Sequence, residues 1–323
     1  MKALVAQDLS GPAGITYADV EDIDDRVDGL VVIDVRAAGI CFPDLLLTRG
    51  EYQVKVQPPF VPGMETAGTV RSAPPGSGFA EGDRVSALKP FFGGYAERVA
   101  VPPCSVVPTP DSLDDAEAAA LPVNYLTSYF ALAWRARLEP GETVVVLGSA
   151  GGVGTAAIEV AKALGARVIA VVHRPEASKF VSSLRADVVV PLTDGWAKRV
   201  KDHTDGRGAD VVFDPVGGAY FDDAVRTLAI GARLLVIGFA GGSIPSIKVN
   251  RLLMRNAGVL GVGFGEYLTL RPEHQVRIGA AVGDLVAAGL RPPEPLRYAL
   301  SDGRAAMERL ASGGVFGKVV LET

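Results

Sequence analysis

The sequence predicts an α/β chain made of a mostly antiparallel β domain and a doubly wound, six-stranded parallel sheet. Three observations carry this expectation. From Met1 to Leu121 short apolar runs are broken by Gly and Pro. From Pro122 onward strand-like runs alternate with helix-length segments, and Glu142 to Gly154 reads as a buried strand passing through a glycine-rich turn into a helix.

In the first domain the expected strands are Leu4 to Ala6, Leu30 to Ala38, Gly68 to Ser72, Asp83 to Ala87 and Tyr95 to Val101. A helix is expected at Pro43 to Leu47, because Pro suits a first helical turn and apolar residues follow it. Ala73 to Gly78 is a Pro/Gly loop. The parallel strands are expected at Thr143–Leu147, Arg167–Val172, Val188–Val190, Ala209–Asp214, Arg233–Ile237 and Val259–Val262. In the tail, Pro272 to Ala288 and Gly303 to Ala311 read as helices and Gly317 to Leu321 as a last strand. This tail is expected to return to the first domain, giving domains 1–121 plus 264–323 and 122–263 with the active cleft between them.

The glycine turn, Gly148-Ser149-Ala150-Gly151-Gly152-Val153-Gly154, carries the chemistry. A strand end, a loop without bulky side chains and a helix N-terminus let backbone N–H groups face a pyrophosphate. The helix Thr155 to Leu164, Gly165 and the strand from Arg167 complete a βαβ unit, so the segment reads as a dinucleotide site of the Rossmann type, with Ser149 at the first glycine position. Gly151, Gly152 and Val153 are the expected backbone donors.

The second strand ends in Val171-Val172-His173-Arg174, with Lys179 about a turn further on and no carboxylate at its tip. A carboxylate there would take ribose hydroxyls and repel a 2′-phosphate. Arg174 offers a planar fork and Lys179 a point charge, which makes NADPH the expected cofactor; the bland reading is a pair of solvated helix-flank cations.

Composition narrows the partners. The formal charge of −5 is spread over mixed residues, with no basic run to meet nucleic acid or an anionic membrane. No uninterrupted apolar stretch is long enough for a bilayer, and with only Cys41 and Cys104 present no disulfide framework is announced. A cytoplasmic protein with small-molecule partners and reduced thiols is expected.

Four motifs in order, Gly39-Ile40-Cys41-Phe42-Pro43-Asp44-Leu45-Leu46, Val61 to Gly68, Leu121 to Ser128 and the glycine turn, resemble zinc-free quinone oxidoreductases of the medium-chain dehydrogenase/reductase superfamily. The resemblance implies a GroES-like β domain followed by a Rossmann domain, reduction of quinones or activated alkenes such as enones with NADPH, and a homodimer. The zinc alcohol dehydrogenases of that superfamily are the rival. Against them, Met64 stands where they carry a histidine, two cysteines cannot build a structural zinc lobe, and His173, His203 and His274 lack ligand spacing. No metal site is expected, so hydride should go to an acceptor that is already electron-poor.

The same resemblance implies a nicotinamide-ribose contact for Thr127, whose alternative is a helix-internal hydroxyl bonded to its own backbone. It also implies nicotinamide-end positions for Phe264 and Lys318, which read equally as packing and as a solvated charge. Val216, Gly238 and Phe239, at the tips of the fourth and fifth parallel strands, are expected beside the nicotinamide because ligands lie outside the carboxyl ends of strands. Tyr52, in Arg49-Gly50-Glu51-Tyr52, resembles the catalytic tyrosine of mitochondrial enoyl reductases and is the candidate proton donor; shaping the substrate pocket is its other reading. Cys41 and Phe42 are expected in that pocket with Tyr52 and Phe264. Cys41 replaces an asparagine common in the family and reads as an inert thiol. Lys162 and Asp187 resemble an acid pair of polyketide enoyl reductases but read as surface charges. Two other functions stay open: an enoyl-thioester reductase acting on acyl-CoA or carrier-bound substrates, and an NADPH-binding protein with vestigial catalysis.

Overall fold

A computed structural model describes residues 1–89 and 92–323. The strands are β1 Lys2–Ala6, β2 Ile15–Asp19, β3 Val31–Ile40, β4 Glu65–Ser72, β5 Arg84–Leu88, β6 Arg98–Val101, β7 Val106–Pro108, β8 Thr143–Val146, β9 Arg167–Val172, β10 Val188–Pro191, β11 Ala209–Asp214, β12 Leu228–Val236, β13 Gly258–Gly261, β14 Leu296–Ala299 and β15 Val319–Glu322. The helices are α1 Phe42–Thr48, α2 Asp115–Ala119, α3 Leu121–Tyr129, α4 Gly152–Ala163, α5 Ala177–Ser183, α6 Trp196–Asp202, α7 Phe221–Arg226, α8 Asn250–Leu253, α9 Phe264–Leu270, α10 Glu273–Ala287 and α11 Gly303–Ala311. The chain forms two compact units, Met1–Leu126 with Tyr267–Thr323, and Thr127–Glu266.

The first unit is the GroES-like β domain. Its main sheet runs β14-β15-β3-β4-β5-β7, with β6 also paired to β3, and β1 pairs β2 alongside. Every pairing is antiparallel except β14 with β15. β3 is central, and its Val31, Val32, Ile33 and Val35 are buried, as are Ala37 and Ala38. The small residues have a cause: α2 lays Ala116, Ala118 and Ala119 against Ala37, Ala67 and Val320, and a Cβ on Gly39 would come within 2.7 Å of the Ala119 carbonyl. The larger core gathers Leu4, Ile33, Ile40, Leu45, Leu47 and Tyr95. The tail contributes β15, which pairs with β3.

The second unit is the Rossmann domain. Its strands lie in the order β10-β9-β8-β11-β12-β13, all parallel. Counted from β8 this is 3-2-1-4-5-6, the doubly wound arrangement whose order reverses between β8 and β11. The strands are near-continuous apolar runs, as strands covered on both faces must be: Val144, Val145, Val146, Val168, Ile169, Ala170, Val211, Val212 and Phe213 are fully buried. Two boundaries differ from the sequence reading by more than one residue. The α4 helix begins at Gly152 instead of Thr155, because the glycines themselves form its first turn. The β12 strand begins at Leu228, upstream of Arg233, because a register irregularity opposite Ala209–Val211 and a left-handed Gly231 (φ 76°) absorb the extra residues. Among the described residues no helix is long and apolar enough to cross a membrane.

Candidate functional sites

In the Rossmann domain the site begins at the end of β8. Gly148 turns the chain with φ 59°, and Gly151 donates its N–H to the Gly148 carbonyl at 3.0 Å. Ser149 is fully buried and its Oγ donates to the Val146 carbonyl at 2.6 Å, which closes the turn on its own strand. The first helical bond of α4 runs from Thr155 N–H to the Gly151 carbonyl at 2.8 Å, so the N–H groups of Gly152 and Val153 lie in a first turn that has no intrahelical acceptors for them. Of the three expected donors, Gly151 turns its N–H inward, while Gly152 and Val153 remain as donors at a helix N-terminus. Gly154 fits because helix and strand touch: a Cβ there would strike the Gly148 carbonyl oxygen and stand 2.8 Å from its carbon. Ser128, which the sequence reading passed over, is fully buried and donates to the Val153 carbonyl at 3.3 Å, tying α3 to this turn. The neighbouring Thr127 is half-buried on α3.

The tips of β11 and β12 converge on the same place. Asp214, buried at the end of β11, accepts the N–H groups of Val216 and Gly217, each at 2.9 Å. Burial pushes its carboxyl above the ordinary aspartate value although both N–H groups pull it down. The loop after β12 is laced to this turn by Ala240 N–H to Pro215 O at 3.1 Å and Gly241 N–H to Val216 O at 2.8 Å. A Cβ on Gly148 would lie 3.2 Å from Val216 Cγ2, and one on Gly217 3.1 Å from Phe239 Cδ1. The glycine turn, Val216 and Phe239 therefore form one surface at the point where the strand order reverses, with the half-buried Gly238 beside Phe239. Phe264, at the start of α9, is buried with its ring 5.3 Å from that of Phe130. At the tip of β9, Arg174 is half-buried and Lys179 is exposed on α5. Lys162 and Asp187 pair at 2.8 Å, and the same carboxylate accepts the Val168 N–H at 2.7 Å.

In the GroES-like domain, β-sheet register assembles a buried polar cluster from distant parts of the chain. Val319 pairs with Ile40 and Gly39 with Glu65, so Lys318, Cys41 and Glu65 meet at one end of β15, β3 and β4. Lys318 Nζ is 3.1 Å from Cys41 Sγ and forms an ion pair with Glu65, Cys41 Sγ is 3.1 Å from Glu65 Oε1, and Glu65 Oε2 accepts the Val123 N–H at 2.6 Å. Lys318 is 6% exposed and Glu65 fully buried, so Lys318 is no solvated charge. Burial works against its ammonium, yet Cys41 and Glu65 hold its pKa above the usual lysine value. Burial, and then the Glu65 carboxylate, push the Cys41 thiol well above the usual cysteine range, so it is a neutral S–H. Asp44 accepts from Cys41 N–H at 2.7 Å and from Tyr95 OH at 2.6 Å, but its Oδ1 has no partner. Burial raises its carboxyl to about 6. Phe42 is exposed at the start of α1, and Tyr52, half-buried in the turn after α1, packs against the main core of this unit.

Two family models match this chain: the alcohol dehydrogenase GroES-like domain over residues 27–111 and the zinc-binding dehydrogenase over residues 152–276. Quinone oxidoreductase-like protein 2 of Bos taurus is 41% identical over 240 residues, covering 73% of this chain and 68% of its own length. The chain belongs to the quinone oxidoreductase family of the medium-chain dehydrogenase/reductase superfamily. Two solved structures are similar to this quinone oxidoreductase-like chain over its whole length. A probable oxidoreductase from Mycobacterium abscessus is 56% identical with a TM-score of 0.93, covering 100% of this chain and 99% of that one. The quinone oxidoreductase of Thermus thermophilus, solved also in complex with NADPH, is 36% identical with a TM-score of 0.83 and full coverage of both.

The second family model is described as zinc-binding, and the residues around Cys41 do not fit that ion. Zinc needs a thiolate and further open N, O or S donors. Here the carboxylate beside Cys41 is taken by the Lys318 ammonium and the Val123 N–H, and the buried neighbour of Glu65 is Met64, a thioether. Among the described residues no group of three His, Cys, Asp or Glu could hold a metal ion.

Proposed function

We propose that this family member is an NADPH-dependent, zinc-independent reductase of quinones or activated alkenes such as enones. The observation that carries the reading is the glycine turn opening α4 where the order of the parallel strands reverses, since that is where a doubly wound sheet binds a dinucleotide. The turn fits the group: a Cβ on Gly151 would meet only the Gly148 carbonyl, at 3.5 Å, so the backbone is bare on the side where a phosphate approaches.

In this reading Gly152 and Val153 donate N–H groups to the pyrophosphate, with the N-terminus of α4 favouring its charge. Arg174 and Lys179 take the 2′-phosphate. Thr127 contacts the nicotinamide ribose, and Val216, Gly238 and Phe239 flank the nicotinamide and keep water from it. When bound, NADPH supplies a hydride; the acceptor also takes one proton, from Tyr52 or from solvent, to leave as hydroquinone or saturated ketone. In the GroES-like domain Cys41, Phe42 and Tyr52 are assigned to the acceptor, and in the Rossmann domain Phe264 to the nicotinamide end. Lys318, committed to Glu65 and Cys41, acts on the nicotinamide end by holding the β3–β4–β15 corner rigid. No step calls on a metal, because a quinone or an enone is electrophilic without one.

The exposed apolar side chains Ile230, Ile244, Val249, Leu253 and Met254 lie around β12 and the open edge strand β13, and they support a homodimer joined at that edge. Light scattering on the purified protein tests it, and a monomer at micromolar concentration rejects it.

NADPH oxidation followed at 340 nm against ortho- and para-quinones, enones and crotonyl thioesters tests the activity. Turnover of quinones or enones is the expected result. A marked preference for the thioester makes the protein an enoyl-thioester reductase, and tight NADPH binding with no turnover makes it a binding protein with vestigial catalysis. Arg174→Ala should weaken NADPH about tenfold or more while leaving NADH nearly unchanged; equal loss of both removes the 2′-phosphate assignment.

A further inference from the structure

The amino ends of the parallel strands hold a second concentration of charge, with no part in the reduction. Lys201 stands in the last turn of α6 ahead of β11, Arg226 ends α7 ahead of β12, and Arg251 and Arg255 lie in and just after α8 ahead of β13. With Asn250 these cations line a cavity of about 260 Å³. The glycine turn stands at the carboxyl end of β8, so this cavity is at the opposite end of the sheet.

Not all of this charge is answered. Arg226 pairs with Asp223 at 2.6 Å. Arg251 Nη1 forms an ion pair with Asp222 Oδ1 at 3.0 Å, in an alignment too poor for a hydrogen bond. Lys201 and Arg255 pair with no carboxylate among the described residues. Both line the cavity, where burial, and then the Arg255 charge, pull the Lys201 ammonium below its usual value. Four cations against two carboxylates around one cavity leave an excess positive charge that an anion would relieve.

We propose that this cavity is an anion site, separate from the dinucleotide site, that takes a phosphate-class oxyanion carrying at least two negative charges, such as a pyrophosphate group. Two arginine forks and an ammonium match its oxygens, and the Asn250 amide adds a neutral donor. The anion offsets the Lys201–Arg255 repulsion and gives Arg251 Nη1 a better-aligned acceptor than Asp222.

Calorimetric titration of the full chain with inorganic pyrophosphate, with and without saturating NADPH, tests this, with sulfate and inorganic monophosphate as parallel arms. The expected result is saturable pyrophosphate binding that survives NADPH and exceeds both smaller anions. It should weaken about tenfold or more in the double variant Lys201→Gln/Arg255→Gln. That variant relieves like-charge repulsion, so its melting temperature should not fall, and its NADPH affinity should stay within about twofold. Absence of pyrophosphate binding overturns the proposal. So does binding that NADPH abolishes, binding the double variant retains, or equal affinity for all three anions. None of these outcomes depends on whether a quinone is reduced.

Discussion

Two glycines in the same turn should fail in opposite ways when each is given a side chain. At Gly154 a Cβ would strike the Gly148 carbonyl oxygen and come within 2.8 Å of its carbon and 2.9 Å of Ser149 Cα. All three are backbone atoms and cannot swing aside as a side-chain tip can. Gly154→Ala is therefore overpacking of about 1–3 kcal/mol, against which the better helix propensity of alanine returns about 0.5–1 kcal/mol. A net loss of about 1–2 kcal/mol lowers the melting temperature by about 2–4 °C per kcal/mol. Gly151 is the cap of α4, with φ −79° and ψ 168°, and a Cβ there meets only the Gly148 carbonyl at an ordinary 3.5 Å. Serine ranks above glycine as a helix cap, so Gly151→Ser should hold or raise the melting temperature. The same hydroxymethyl stands where a pyrophosphate would close on Gly152 and Val153, and NADPH should bind about tenfold or more weakly, a loss of about 1.4 kcal/mol. Scanning fluorimetry and NADPH fluorescence titration on both variants read the two effects separately. A stable Gly151→Ser protein that binds NADPH like wild type refutes the phosphate cradle. A Gly154→Ala protein that melts with wild type refutes the helix–strand contact.

The buried cluster of the GroES-like domain yields three further expectations. Lys318→Met strands the buried Glu65 carboxylate and should cost about 3–5 kcal/mol in urea unfolding, much of which the double variant Lys318→Met/Glu65→Gln should recover; full destabilisation in the double variant would refute the ion-pair account. Cys104 should react with a thiol reagent in the native protein while Cys41, buried and held neutral, reacts only on unfolding; two fast native thiols would contradict this. Asp44 has its folded carboxyl raised to about 6 from an unfolded value of about 3.9. The folded state therefore binds this proton more tightly: its contribution to stability is full below the unfolded value and is lost as pH rises through about 6. Asp44→Asn keeps an acceptor for Cys41 N–H and Tyr95 OH and should flatten the pH dependence of stability between about pH 4 and 6; an unchanged slope assigns that dependence elsewhere.

Much of the fold was legible because its determinants are local. Val144 to Val146, Arg167 to Val172 and Ala209 to Asp214 are apolar runs of strand length closed by glycine or polar turns, and a strand buried on both faces can hardly be written otherwise. The elements the sequence reading passed over have weak local signals. β2, with Thr16 and Tyr17 exposed, is fixed by pairing with β1, and β14 by the parallel partner that β15 provides. β12 extends upstream of the expected Arg233 because Gly231, with φ 76°, kinks the chain inside a strand that β11 still holds.

The same division runs through the sites and explains what each can do. Gly148 to Gly154 is legible because its partners are its own backbone: Gly151 N–H to Gly148 O and Thr155 N–H to Gly151 O are bonds within one turn. Lys318, Cys41 and Glu65 are far apart in the sequence, and no spacing rule joins them. They meet because Val319 falls opposite Ile40 and Gly39 opposite Glu65, a register set by the burial of Ile40, Ala67 and Val319 and not by the charges themselves. The polar cluster is therefore a consequence of apolar pairing, and once assembled it resists change: moving β15 by one residue would drive Val319 toward the Glu65 carboxylate and leave that carboxylate unpaired in a dry interior. A corner locked in this way needs no ion to hold its shape, and Lys318→Met would loosen it.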